Sequence, residues 1–179
     1  MRMRWMWMAA PLLLLAGSAA AQAATVSYPG GKTEKLAPNK EVTGPAVVKS
    51  DDGKDTITLR KGAVLRFLGT DTDAKGAKAE MYFLKSGGVD AKVGYYSRIA
   101  TPSFWAFPEK AGTTASFYAA PFGVNTGYAR AAEGSGLVRL LCDREAMTEV
   151  QLKADQGVTV ERDPRNPGAV GFTTDADNE

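Results

Sequence analysis

Few residues in this sequence could do covalent chemistry. The 179 residues include no histidine. That removes the usual general base of serine and cysteine hydrolases and the usual zinc ligand. Cys142 is the single cysteine, so no intrachain disulfide can form. It sits in the apolar, strand-like run Leu137-Val138-Arg139-Leu140-Leu141-Cys142. Burial among such neighbours raises a thiol's pKa, and an inert thiol is expected. Gly134-Ser135-Gly136 has neither the spacing nor the strand–turn–helix setting of a nucleophile elbow. Gly30-Gly31-Lys32 has no strand before it or helix after it and does not read as a phosphate cradle. Asp71-Thr72-Asp73-Ala74-Lys75-Gly76 begins like a calcium loop. However, Lys75 occupies a ligand position and Tyr82 stands where a bidentate glutamate is required, so a solvated turn is expected. Acids distant in sequence can meet in space, but nothing local singles out a catalytic pair. The expectation is no enzyme, no cofactor and no metal.

The remaining chemistry is aromatic. Tyr95, Tyr96, Phe104, Trp105, Phe107, Phe117, Tyr118, Phe122 and Tyr128 crowd into a short, Pro- and Gly-rich stretch. Rings of this kind fill cores. Phe104-Trp105-Ala106-Phe107 nevertheless runs between Pro102 and Pro108, and a short loop cannot bury every ring. Tyr96, Phe104, Trp105 and Phe107 are therefore the candidate interaction residues. Exposed rings of this kind anchor protein interfaces or stack on sugars.

The elements that must position these rings are strands. TITLR from Thr56, GAVLRFLG from Gly62, AEMYFLK from Ala79, GVDAKVG from Gly88 and SRIATP from Ser97 each alternate with a period of two. Ile57 and Leu59 share one face of the first run. Ala63, Leu65 and Phe67 share one face of the second; Ala79, Met81 and Phe83 of the third; and Val89, Ala91 and Val93 of the fourth. Strands of this kind bury one face against a second layer. Lys61-Gly62, Asp71 to Gly76 and Ser86-Gly87-Gly88 carry turn chemistry. The expected fold is all-β: a two-layered antiparallel β-sandwich or a short β-solenoid, with at most one short helical turn. Further strands are expected over 46–49, 113–119 and 136–142. At 143–153 a helical turn competes with a strand. The alternation of Thr148, Val150 and Leu152, continued by Val158 and Val160, favours a closing hairpin.

The ends differ from the centre. Arg2 and Arg4, then an apolar run through Leu12 to Leu15, then small residues to Ala24 form a signal-peptide pattern. Ala21-Gln22-Ala23 fits an A-x-A site, with cleavage expected after Ala23. Residues 1–23 are thus expected as a signal peptide, 24–45 as a flexible N-terminal arm, 46–162 as a single β-domain and 163–179 as a disordered acidic tail. The arm holds Pro29, Gly30, Gly31, Pro38, Gly44 and Pro45, with a short edge strand expected at Val26 to Tyr28. The apolar run is short of the roughly 20 residues a membrane helix needs. A periplasmic or secreted protein is expected, without a membrane span after cleavage. Arg2 and Arg4 are two of its 22 basic residues, which leaves 20 to balance the 20 acidic ones. Such a balance gives no field for nucleic acid.

Gly88-Val89-Asp90-Ala91-Lys92-Val93, then Thr101-Pro102, then Gly112-Thr113, then Leu152-Lys153-Ala154-Asp155-Gln156-Gly157-Val158-Thr159-Val160 resembles the order of landmarks in FecR-type domains. These are periplasmic all-β domains best known as sensors in sigma-factor relays. The resemblance spans roughly Ser50 to Glu161. Ala111 stands where the family often carries a basic residue before its Gly-Thr pair. The cytoplasmic segment and membrane helix of signalling members are not seen ahead of these landmarks. The resemblance implies a free-standing exported β-domain that meets another macromolecule. The expected function is non-enzymatic, with a protein or cell-envelope partner. The alternative is a β-domain that binds a glycan or small apolar ligand through the aromatic band 95–128.

Overall fold

The computed structural model describes residues 24–72, 78–93, 97–121, 126–132, 136–143, 148–163 and 166–174. Tyr96 and the heart of the Asp71–Gly76 turn lie outside them. Fifteen strands and no helix occur among the described residues. Every strand pairing is antiparallel except that of β7 with β8. That excludes a solenoid, whose coils stack in parallel, and leaves the sandwich.

The organising element is β7 (Lys78–Val93), a 16-residue strand that belongs to two sheets. Its second half, from Gly87, pairs with β5 (Thr56–Leu59) and β10 (Thr113–Ala119). From there sheet I extends one way through β4 (Ala46–Lys49), β1 (Thr25–Ser27) and β2 (Thr33–Lys35). It extends the other way through β11 (Thr126–Ala131), β14 (Gly157–Asp163) and β15 (Asn166–Thr174). The first half of β7 pairs with β6 (Val64–Thr72), which pairs with β3 (Glu41–Thr43), and with β8 (Arg98–Ala100). Sheet II continues through β9 (Trp105–Pro108), β12 (Val138–Asp143) and β13 (Thr148–Leu152).

The crossing occurs at Gly87. Its φ is 79°, in the left-handed region, and a Cβ there would lie 2.6 Å from Ala63 Cα. Only glycine meets both demands. The inward side chains change phase across it: Tyr82 and Leu84 before, Val89, Ala91 and Val93 after, all at most 1% exposed. One hydrophobic cluster from both sheets fills the space between them. Phe104 reaches across to Phe117 on β10 with ring centroids 6.3 Å apart. A Cβ on Gly127 would lie 2.8 Å from the Phe104 ring, so the residue opposite that ring has no room for a side chain.

Several expectations need correction. Met81 and Phe83 face outward, half-buried, while Tyr82 faces the core. Tyr82 can do so because its hydroxyl donates to Glu80 Oε2, which meets the need of its one polar atom. The expected loose arm carries β1, β2 and β3, with Ala24, Val26, Leu36 and Val42 buried. Each of these strands is three residues long; β1 and β3 bury one side chain each and β2 none, too few to show a period. Its Pro and Gly residues make tight turns, such as the one closed by Gly31 N–H to Tyr28 O at 3.1 Å. Of the expected acidic tail, 166–174 form β15 on β14. Pro167 fits there because β15 is an edge strand. The strands expected at 148–160 exist, but they are not a hairpin. β13 pairs with β12 in sheet II and β14 with β11 in sheet I, so the turn at Asp155 passes between layers.

Candidate interaction face

Of the four sequence candidates Tyr96 lies outside the described residues, and the other three do not share a face. Phe104 is 1% exposed, in the core. The stretch read as a Pro-bounded loop is instead strand β9, and its alternation separates neighbours: Ala106 points in, Trp105 and Phe107 point out. The wider aromatic band divides three ways. Phe104 and Phe117 are in the core, Trp105 and Phe107 lie on the outer face of sheet II, and Tyr118 and Tyr128 lie on the outer face of sheet I, paired in register. Among the described residues the band is no single platform.

A different surface is assembled by pairing. Across sheet II, Phe83 is opposite Ala100, Ala100 opposite Trp105, and Trp105 opposite Leu141. Residues opposite one another on adjacent strands share a face and touch. Met81 is opposite Arg98, and Phe107 opposite Arg139, in the neighbouring row. Phe107 lies under both guanidiniums: Arg98 Cζ is 5.7 Å and Arg139 Cζ 5.5 Å from its ring centroid. Each such contact contributes about 0.5–1 kcal/mol at a water-exposed ring. The result is a half-buried apolar surface of Met81, Phe83, Trp105, Phe107 and Leu141, topped by two arginines. Polar pairs stand at either end. Arg66 and Lys85 share Glu41 at 2.5 and 2.8 Å. Arg139 Nη1 is 3.8 Å from Glu149 Oε1, beyond hydrogen-bonding distance. Arg139 Nε is buried with no acceptor among the described residues.

Sequence reasoning found Trp105 and Phe107 by their crowding. It missed Met81, Phe83, Arg98, Arg139 and Leu141, because their partnership exists only through the pairing of four strands. The outward phase of Phe83 and Trp105 would follow from reading Tyr82 and Phe104 as inward, but nothing in the one-dimensional pattern requires that choice.

Most polar groups near the core elsewhere are engaged structurally, though among the described residues Ser103 Oγ and Arg162 Nε are, like Arg139 Nε, buried without a hydrogen-bond partner. Beside the Ser50–Asp55 turn, Glu80 Oε1 accepts from Asp51 N–H at 3.2 Å, and Asp55 Oδ2 accepts from Ser97 Oγ. Asp52 Oδ1 accepts from Ser50 Oγ at 2.7 Å and from Lys54 N–H at 3.0 Å. These bonds hold the Asp52 carboxyl down to about 2, with the Ser50 hydroxyl the main cause. Burial pushes Glu80 above the ordinary carboxylate range, against the pull of its Tyr82 and Asp51 hydrogen bonds. Burial also raises the Cys142 thiol to about 11, as expected of an inert side chain. Among the described residues no group of His, Cys, Asp and Glu is placed to hold a metal ion. Among them, too, no helix is long and apolar enough to cross a membrane.

No family model matches the chain, and no curated protein matches it. Two solved structures are similar to it, both of a candidate anti-sigma factor from Parabacteroides distasonis. The first, at 2.50 Å, is 15% identical with a TM-score of 0.48, and the match covers 75% of this chain and 55% of that one. The second, at 1.65 Å, is 14% identical with a TM-score of 0.48, and the match covers 77% of this chain and 57% of that one. The chain thus spans a little over half the length of either.

Proposed function

We propose that this protein is an exported, non-enzymatic, FecR-like β-domain that docks a protein partner at the cell envelope through the outer face of sheet II. The signal-peptide pattern of residues 1–23 supports export, and the ordered landmarks from Gly88 to Val160 support the FecR-like reading. The observation that carries the docking role is the in-register row Phe83, Ala100, Trp105 and Leu141. An antiparallel sheet with one buried face ordinarily presents polar side chains to water on the other. Phe83, Trp105 and Leu141 are half-buried there with Ala100 covered between them, and apolar surface of this kind marks an interaction site. Arginine and tryptophan together are the residue types that dominate protein interfaces.

Photo-crosslinking in an exporting host tests this. A crosslinking side chain at Phe83 is expected to give a discrete protein adduct in the envelope fraction. The same group at Thr58, on the outer face of sheet I, is expected to give none. Adducts of equal yield from both positions would refute the docking role. Export is tested on the same samples by N-terminal sequencing, with a mature chain beginning at Ala24 expected.

A further inference from the structure

From the charges on that face we infer the chemistry of the partner: an acidic protein segment, with a carboxylate seated between Arg98 and Arg139 beside Phe107 and apolar side chains against Trp105 and Leu141. This inference rests on the docking role proposed above. The outward positions of the four central strands are Met81, Phe83, Lys85, Arg98, Ala100, Trp105, Phe107, Arg139 and Leu141. They include three cations and no carboxylate; Lys85 is paired with Glu41 at 2.8 Å and Glu149 of β13 stands opposite Leu141, so the charge left on this face is that of Arg98 and Arg139.

The two arginines differ from the other outer-face arginines. Arg60 is bound to Asp90 at 2.6 Å, Arg66 to Glu41 at 2.5 Å and Arg130 to Asp155 at 2.8 Å. Arg98 has no carboxylate within 4.0 Å among the described residues; its recorded contact is the Phe107 ring. Arg139 has the loose 3.8 Å approach to Glu149 and an Nε–H buried without an acceptor. A guanidinium fork stacked on a ring is pre-organised to bind a carboxylate through paired N–H donors. Two such forks flank one ring here, and the apolar side chains around them exclude water, which strengthens the pairing. The arrangement favours a peptide over a nucleic acid. A phosphate backbone needs a long basic stripe, whereas this charge is confined to one patch of a neutral domain.

The test measures fluorescence anisotropy of labelled synthetic peptides on the purified protein. One peptide alternates Glu and Phe; its counterpart alternates Gln and Phe. The Glu peptide is expected to bind about tenfold or more tightly, with an affinity that falls as salt rises. Arg98→Gln is expected to remove that preference with an unchanged circular dichroism spectrum, and Arg98→Lys to restore only part of it. Equal binding of the two peptides, lost in Trp105→Ala, would leave the docking face standing and overturn the acidic partner. Binding of neither peptide would overturn the acidic partner as well. A single-stranded oligonucleotide that competes as strongly as the Glu peptide would overturn the peptide assignment.

Discussion

The two sheets of this sandwich obey the same two-residue period and contribute to the same core, yet their outer faces are opposites. Across sheet I, Thr58, Asp90, Ser116 and Arg130 stand in register. Asp90 accepts from Arg60 Nε at 3.1 Å and Nη2 at 2.6 Å, and Ser116 Oγ donates to it at 2.7 Å. Those bonds, Arg60's first, hold the Asp90 carboxyl below its ordinary range. Across sheet II the equivalent row is Phe83, Ala100, Trp105 and Leu141. Sheet I pairs its acids and bases on its own surface; sheet II stacks Arg98 and Arg139 on the Phe107 ring. Sheet I is not wholly polar: Tyr118, 42% exposed, pairs in register with Tyr128, and Phe172 on the edge strand β15 is 38% exposed.

The largest expected effect separates neighbours. Phe104→Ala empties the space against Phe117 and should lower stability by about 3–5 kcal/mol in urea titration. Trp105→Ala, one residue on but outward, should cost about 1 kcal/mol or less. Equal costs would erase the distinction between core and face. Next is the corner where the sheets part. Gly87→Ala forces a Cβ against Ala63 at a left-handed φ and should cost about 2–3 kcal/mol, again read from the urea midpoint. A neutral result would mean that β7 does not turn there.

Smaller is the pH effect of Glu80, which lies inward on β7 at the end of sheet II. Its folded-state pKa is raised above the ordinary 4.5, so the folded protein holds the proton more tightly than the unfolded chain. That contribution is complete below the ordinary value and is lost as pH rises through the folded value. Stability should therefore decline over that interval, and Glu80→Gln should flatten the decline in urea midpoints measured from acid to neutral pH. An unchanged slope would show that another group is responsible. The smallest effect belongs to sheet I: Asp90→Ala breaks a solvent-screened pair and should cost about 1 kcal/mol or less, with no change in partner binding.

Much of the fold was legible because the long strands advertise themselves. β4 and β10 have the bounds their alternation implies, and the all-β class follows from the same period. Of the three-residue strands, β1 was anticipated one residue late at Val26 to Tyr28, while β2 and β3 were not legible, since three residues show no period of their own and are placed by their partners β1 and β6. Phase was the harder question. In AEMYFLK both faces are largely apolar, and the choice between Tyr82 and Phe83 was decided by Glu80, which gives the tyrosine hydroxyl an acceptor inside. The candidate face inherited that ambiguity. Trp105 and Phe107 stood out locally, while Phe83, Arg98, Arg139 and Leu141 join them only after four strands have found their order.

The most direct measurement is hydroxyl-radical footprinting, read by mass spectrometry, of the protein in the intact envelope against the purified protein. Met81, Phe83 and Trp105 should lose reactivity in the envelope while Tyr118 on the opposite face keeps it. Protection of Tyr118 with Met81, Phe83 and Trp105 unchanged would contradict the account and move the partner to sheet I.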